Sequence, residues 1–205
     1  MKKLIIVLIV ICSILLVSGC KKKDMEKIKE NNKDNKILIV YFSRKGENYN
    51  VGKVDIGNTA LVASYISEKL GAKSFEIEPV KPYPESYGEA IEVATIEKEN
   101  KERPKIKNNI DDFDNYDTIF IGYPIWWGDL PMIMYTFLES YNFDNKNIYL
   151  FNTHEGSGNA GTKSSIKKIL KNANVSDNNF VISGTDARSQ SGQEKTNEWL
   201  DSLNL

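Results

Sequence analysis

The sequence predicts an α/β fold: a three-layer sandwich whose five-stranded parallel sheet, in the order 2-1-3-4-5, is covered by helices on both faces. Three observations predict it. Short, nearly unbroken apolar runs recur along the chain, as strands buried on both faces require. Segments of helical period separate those runs, and each can serve as a parallel crossover. One further run alternates, as an edge strand does.

Lys36-Ile-Leu-Ile-Val-Tyr-Phe42 is the first buried strand, and Asp117–Gly122 and Asn147–Phe151 read the same way. Lys73–Glu78 alternates, with Phe75 and Ile77 on one face, and Phe180–Ser183 is short, so these two form the edges. The first helix has Asn58 as N-cap, Val62, Ile66 and Leu70 on one stripe, and Gly71 as its stop. A second begins at Pro84, turns Tyr87, Ile91 and Ala94 inward, and ends before Pro104. A third runs from Pro131 through Phe137 to Tyr141, a fourth carries Ile166, Ile169 and Leu170, and a last holds Trp199, Leu200 and Leu203. Response-regulator receivers share this order but need aspartates at the ends of the first and third strands. Tyr41-Phe42-Ser43 and Gly122-Tyr123-Pro124 stand there instead.

Ahead of this domain, residues 1–19 read as a signal peptide: basic Lys2 and Lys3, then an apolar run from Leu4 to Val17, short of the roughly 20 residues a bilayer-spanning helix needs. Val17-Ser18-Gly19-Cys20 resembles the lipobox of bacterial lipoproteins. That resemblance implies cleavage before Cys20, lipidation of its thiol, and an extracytoplasmic protein anchored to a bacterial membrane through that lipid only. Residues 20–35 are polar and lack aromatics, so they form a flexible stalk with a reach of roughly 20–25 Å. The folded domain is then 36–205, with Cys12 and Cys20 both outside it. A disulfide framework and a thiol nucleophile are excluded there.

Residues 37–205 hold 18 basic and 24 acidic side chains. An acidic globule argues against nucleic acid as a partner. One histidine and scattered carboxylates lack metal-ligand spacing, and His154 has no nucleophile-elbow serine beside it, so neither a metal site nor a catalytic triad is expected.

Ligands of such sheets bind beyond the carboxyl ends of the central strands, where three loops have unusual content. The first, Ser43-Arg44-Lys45-Gly46-Glu47-Asn48 continuing to Gly57-Asn58-Thr59, combines hydroxyls, amides and glycines with a helix N-terminus, which favours an anion. The second, Gly122-Tyr123-Pro124-Ile125-Trp126-Trp127-Gly128-Asp129, sets two indoles side by side just past a buried strand. Neighbours in an extended segment point opposite ways, so one faces the mouth and can stack on a planar ring, at on the order of 1 kcal/mol beyond area burial. The third, Asn152-Thr153-His154-Glu155-Gly156-Ser157-Gly158, offers small donors and close backbone approach.

With these loops in place, residues 36–205 resemble the flavodoxin family, in particular bacterial members with Tyr-Phe-Ser after the first strand and Gly-Tyr-Pro-Ile-Trp-Trp-Gly after the third. The resemblance implies flavin mononucleotide (FMN) held non-covalently. Its phosphate falls to Ser43, Gly46, Asn58 and Thr59 without a cationic side chain. Its ring falls to Pro124, Ile125, Trp126, Trp127 and Gly128, with Thr153, His154, Glu155, Gly156 and Ser157 opposite. The chain departs from the family where Glu47–Ile56 interrupts the phosphate loop. Either the insertion loops out and Gly57-Asn58-Thr59 completes the cradle, or Glu47 and Asn48 occupy it, and Tyr49 is a candidate to cover the flavin. Glu47, Asp129 and Glu155 are the acidic candidates for lowering a flavin's reduction potential.

The function that follows is electron transfer with a redox partner protein or a small-molecule donor or acceptor. The alternatives are an FMN-dependent NAD(P)H or quinone reductase and a surface binding module without FMN. No Gly-x-Gly-x-x-Gly run follows a strand, which leaves no case for a separate dinucleotide domain.

Overall fold

Ile37 and Ile39 face one way from the first strand and Leu38 and Val40 the other, and all four are buried. Such a strand needs a helical layer on each face. In the computed structural model, which describes residues 36–203 and 205, both layers are present. The expected signal peptide, Cys20 and stalk lie outside the described residues.

The elements in chain order are β1 (Ile37–Tyr41), β2 (Gly46–Asn48), β3 (Gly52–Val54), α1 (Asn58–Leu70), β4 (Lys73–Glu76), α2 (Tyr87–Glu99), β5 (Thr118–Pro124), α3 (Met132–Ser140), β6 (Asn147–His154), α4 (Thr162–Ile169), β7 (Asn174–Val175), β8 (Phe180–Ser183), α5 (Gly184–Ala187) and α6 (Gly192–Asp201). The main sheet runs β4-β1-β5-β6 and is parallel throughout, with β7 and β8 both pairing with β6. This is the order 2-1-3-4-5, with the fifth place divided. Asn174–Val175 takes the amino-end half beside Asn147 and Ile148, and Phe180–Ser183 takes the carboxyl-end half beside Phe151–His154.

One core joins Leu38, Val40 and Phe42 to Ile119, Ile121 and Tyr123, under Ile133 and Phe137 of α3 and Ile166 of α4. The opposite core joins Ile37, Ile39 and Phe120 to Val62 and Ile66 of α1 and Trp199 and Leu200 of α6.

Several boundaries differ from the sequence reading. Gly57, not Asn58, is the N-cap of α1, and the capping oxygen comes from far along the chain: Ser43 Oγ accepts from the Ala60 N–H at 3.1 Å. Helix α2 starts at Tyr87 rather than Pro84, because the Pro84 and Glu85 carbonyls accept from Arg44. Tyr87 stays exposed, while Ala90, Ala94 and Glu97 are the buried side chains of that helix. Strand β6 continues to His154, so Thr153 and His154 belong to the strand and not to the loop after it.

Phe137 is 1 % exposed and meets the rings of Phe113, Tyr141 and Phe143 at 6.2, 5.4 and 5.5 Å. Phe137→Ala is expected to remove about 3–5 kcal/mol of stability, read as a lower urea midpoint with an unchanged slope. A loss below about 1 kcal/mol would show that this cluster does not hold α3 to the sheet.

Candidate functional site

β1 pairs with β4 on one side and β5 on the other, and the connections after β1 and β4 leave on opposite faces of the sheet. A crevice opens where they diverge, beyond the carboxyl ends of β1, β5 and β6. It encloses about 230 Å³ between the first loop, α2 and the ends of β5 and β6.

The first loop solves its insertion by looping it out. Gly46–Asn48 and Gly52–Val54 form an antiparallel hairpin, and the chain then returns so closely that a Cβ on Gly57 would lie 2.3 Å from Ser43 Oγ and 2.5 Å from the Arg44 carbonyl. Only glycine fits there. The return sets the N-terminus of α1 beside Ser43, whose Oγ takes the Ala60 N–H of the first turn. Thr59 is fully buried and shares a 2.8 Å hydrogen bond between hydroxyls with Thr153, which ties the start of α1 to β6. Arg188 Nε donates to Asn58 Oδ1 at 2.7 Å and fixes that amide at the crevice.

Arg44 is the unexpected member of this loop. The residue is 9 % exposed and lines the crevice, and its guanidinium donates to the carbonyls of Pro84 (2.8 Å), Glu85 (3.2 Å) and Glu47. Burial pulls its pKa below the usual arginine value, yet a guanidinium remains charged in a protein.

The second loop makes a two-residue reversal. Trp126 N–H donates to the Asp129 carbonyl and Asp129 N–H to the Trp126 carbonyl, both at 3.0 Å. Trp127 and Gly128 between them have φ of +51° and +68°, the pair of positive angles of a type I′ turn. Asn or Gly usually takes the first of these places; an indole there stores about 1–2 kcal/mol of strain. Trp126 is tucked inward, edge-on to Phe42 and Tyr83 at 5.4 and 5.0 Å, while Trp127 is 54 % exposed at the crevice. Lys98 Nζ of α2 donates to the Trp127 carbonyl and holds the turn. Tyr83 Oη donates to Glu97 at 2.8 Å; burial pushes the pKa of both groups up, and the negative charge of Glu97 raises that of Tyr83 further. Across the crevice Tyr49 of the hairpin stacks on Tyr87 at 6.0 Å.

In the third segment His154 Nδ1 accepts from the Gly156 N–H at 2.9 Å, which leaves Nε2 as the donor of the neutral ring. Glu155 Oε2 accepts from Asn50 and Thr185, while its Oε1 is buried without a hydrogen-bond partner. That oxygen is packed against Gly184, where a Cβ would lie 2.4 Å from it.

Residues 36–203 match the family model described as Flavodoxin. The chain belongs to the flavodoxin family. Among solved structures it is similar to a candidate flavoprotein of Bacteroides eggerthii, with 26% identity and a TM-score of 0.67, covering 84% of this chain and 99% of that one. It shares the fold of a candidate flavoprotein of Bacteroides uniformis, with 24% identity and a TM-score of 0.65, covering 82% and 99%. It also shares the fold of a flavoprotein of Lactobacillus acidophilus in complex with FMN, with 24% identity and a TM-score of 0.57, covering 75% and 95%. No curated protein matches the sequence.

In this flavodoxin-family chain the crevice brings together Asn48, Asn58, Pro124, Ile125, Trp126 and Trp127. Thr153, His154, Glu155 and Ser157 line it as well. Ser43 and Thr59 stand just behind the lining, as the cap of α1 and its tie to β6. Gly128 and Gly156 shape the turns that carry Trp127 and Glu155. Gly46 does not join the cradle: it is a packing position, where a Cβ would meet the Glu85 carbonyl oxygen at 2.6 Å. Of the acidic candidates only Glu155 reaches the crevice. Glu47 accepts from the Tyr87 N–H, and Asp129 accepts from Tyr135 Oη and the Leu130 N–H. The wall of α2, with Ala90, Ile91 and Ala94, was not signalled by any motif.

Because Trp127 combines left-handed strain with exposure, its indole contributes little to folding. Trp127→Asn is expected to leave stability unchanged or raise it by up to about 1 kcal/mol in urea unfolding. A loss of more than about 1 kcal/mol would make the indole a structural prop.

Proposed function

We propose that this chain binds FMN in the crevice and exchanges electrons with a redox partner, held on the outside of a bacterial membrane by lipid on Cys20. The observation that carries the cofactor assignment is the indole of Trp127, held in a strained turn at the mouth of a crevice that has the N-terminus of α1 at its other side. That pairing suits a ligand with a flat ring at one end and an anion at the other. The residues fit the group: Ser43, Asn58 and Thr59 offer hydroxyl and amide donors around the helix N-terminus for the phosphate. Trp127 offers a stacking face for the ring. The Lactobacillus acidophilus neighbour in complex with FMN supports the same choice.

Bound FMN supplies electron transfer in one- and two-electron steps, and the chain supplies binding, orientation and local charge. Thr59 and Thr153 fix the phosphate end to the sheet. Asp129 and Lys98 fix the turn that presents Trp127. Glu155 places negative charge at the crevice, which disfavours added electron density there. The acidic domain favours a basic partner by long-range steering. An apolar wall from α2 extends the crevice beyond the indole, which favours a second reading, reduction of a small planar substrate. Steady-state oxidation of NAD(P)H by the loaded protein separates the two.

The purified protein is expected to be yellow with an oxidised-flavin spectrum and, once stripped, to rebind FMN in preference to riboflavin. A colourless protein that ignores added FMN would leave a flavodoxin fold serving as a surface binding module. For the anchor, cells fed an alkyne-tagged fatty acid are expected to label the wild-type chain but not Cys20→Ser, and only the wild type should sediment with membranes. Equal labelling or equal sedimentation of the two would refute the lipid anchor at Cys20.

A further inference from the structure

Arg44 is a buried cation with N–H donors to spare, and the Glu47 carboxylate acts on it without forming a salt bridge. It lies in the loop after β1, one residue past Ser43, and is nine-tenths buried at the crevice. Three carbonyl oxygens hold it: Pro84 and Glu85 on Nη1, and Glu47 on Nη2. A guanidinium has five N–H donors, so Nε–H and one Nη2–H remain uncommitted. Among the described residues no salt bridge reaches it.

The acidic groups in its neighbourhood are engaged elsewhere. The Glu47 carboxylate accepts from the Tyr87 N–H at 3.1 Å, and Glu85 pairs with Lys53 at 3.5 Å. Lys45, the next residue, is exposed and acts on Glu76 at the edge strand, so the two cations of the loop are sorted to different places. A buried cation with spare donors and no paired anion is an expensive arrangement unless an anion completes it. The domain as a whole is acidic, so a cation at the crevice adds to the attraction that the start of α1 offers a phosphate.

We propose that Arg44 is the cationic phosphate ligand of this crevice, so that the chain selects a phosphorylated flavin over its dephosphorylated form by a guanidinium contact in place of a purely neutral cradle. The inference rests on the reading of the crevice as an FMN site. Nε and Nη2 share one edge of the planar group, which is the edge that engages two oxygens of a phosphate. The carbonyl bonds of Pro84 and Glu85 on Nη1 and of Glu47 on Nη2 fix its plane. Those same bonds tie the hairpin to the Pro84–Glu85 turn, so Arg44 also has a structural task, and the test must tell the two apart.

The test measures dissociation constants for FMN and riboflavin, by quenching of flavin fluorescence, on the purified full-length wild type, Arg44→Gln and Arg44→Lys. The ratio of the riboflavin to the FMN constant within one variant cancels any loss of folded protein. The wild type is expected to prefer FMN. Arg44→Gln should lower the ratio roughly 10- to 100-fold, with riboflavin binding little changed, as the loss of a charge-assisted contact implies. Arg44→Lys keeps the charge but loses the two-donor edge, so it should recover only part of that ratio. A ratio that is the same in Arg44→Gln as in the wild type would reduce Arg44 to a strut of the hairpin and overturn the proposal while leaving the FMN site intact. A wild type that binds neither flavin would instead overturn the FMN reading beneath it.

Discussion

Everything at the crevice depends on β1 being paired in parallel on both of its edges. β4 takes one edge from Leu38 to Tyr41 and β5 takes the other from Ile37 to Tyr41. The path to β4 crosses the face that buries Val62 and Ile66, and the path to β5 crosses the face that buries Ile110 and Phe113. Loops that depart in opposite directions cannot close over the strand ends, so a gap is built into the topology. Because β1 is packed on both faces, the residues at its end, Ser43 and Arg44, start from a fixed point. A binding site is as well placed as the elements that carry it.

The crevice is also where the chain departs from local preference. Trp127 sits at a positive φ that asparagine or glycine would fill with less strain, and Gly57 approaches Ser43 closer than any side chain allows. Arg44 places a charge where an apolar side chain would be easier to bury. These departures cluster at one end of the sheet, while the two cores beneath follow apolar periodicity residue by residue. Strain and buried charge concentrated in a crevice on a regular scaffold are what a binding site requires.

The central strands were legible because β1, β5 and β6 are buried on both faces and therefore apolar without a break. Their ends were not: Tyr123–Pro124 and Asn152–Thr153 pair with each other, and that pairing is invisible in a mixed polar run. The divided fifth place was missed because Asn174–Val175 is two residues long and has no period to detect. Proximity points to Asn58 as the cap of α1, whereas Ser43, seventeen residues before the Ala60 N–H that it accepts from, supplies the oxygen. The two indoles do part, but by a type I′ turn at Trp127 and Gly128 and not by the alternation of an extended segment, and that turn depends on the return pairing of Trp126 with Asp129. Arg44 was not legible, because what buries it is a pair of carbonyls forty residues on, at Pro84 and Glu85. Local chemistry thus read correctly wherever local spacing decides the outcome, and failed where a distant backbone decides it.

The most direct test of the account is to map where FMN touches the protein. In amide- and indole-resolved NMR spectra of the ¹⁵N-labelled protein, adding FMN is predicted to shift the backbone amides of Gly57, Asn58, Thr59 and Ala60 together with the Trp127 indole N–H. The Trp199 indole, buried in the opposite core, should stay in place. Shifts confined to another surface, or a Trp127 indole that does not respond while the protein binds FMN, would contradict the placement of the flavin between the start of α1 and the strained turn.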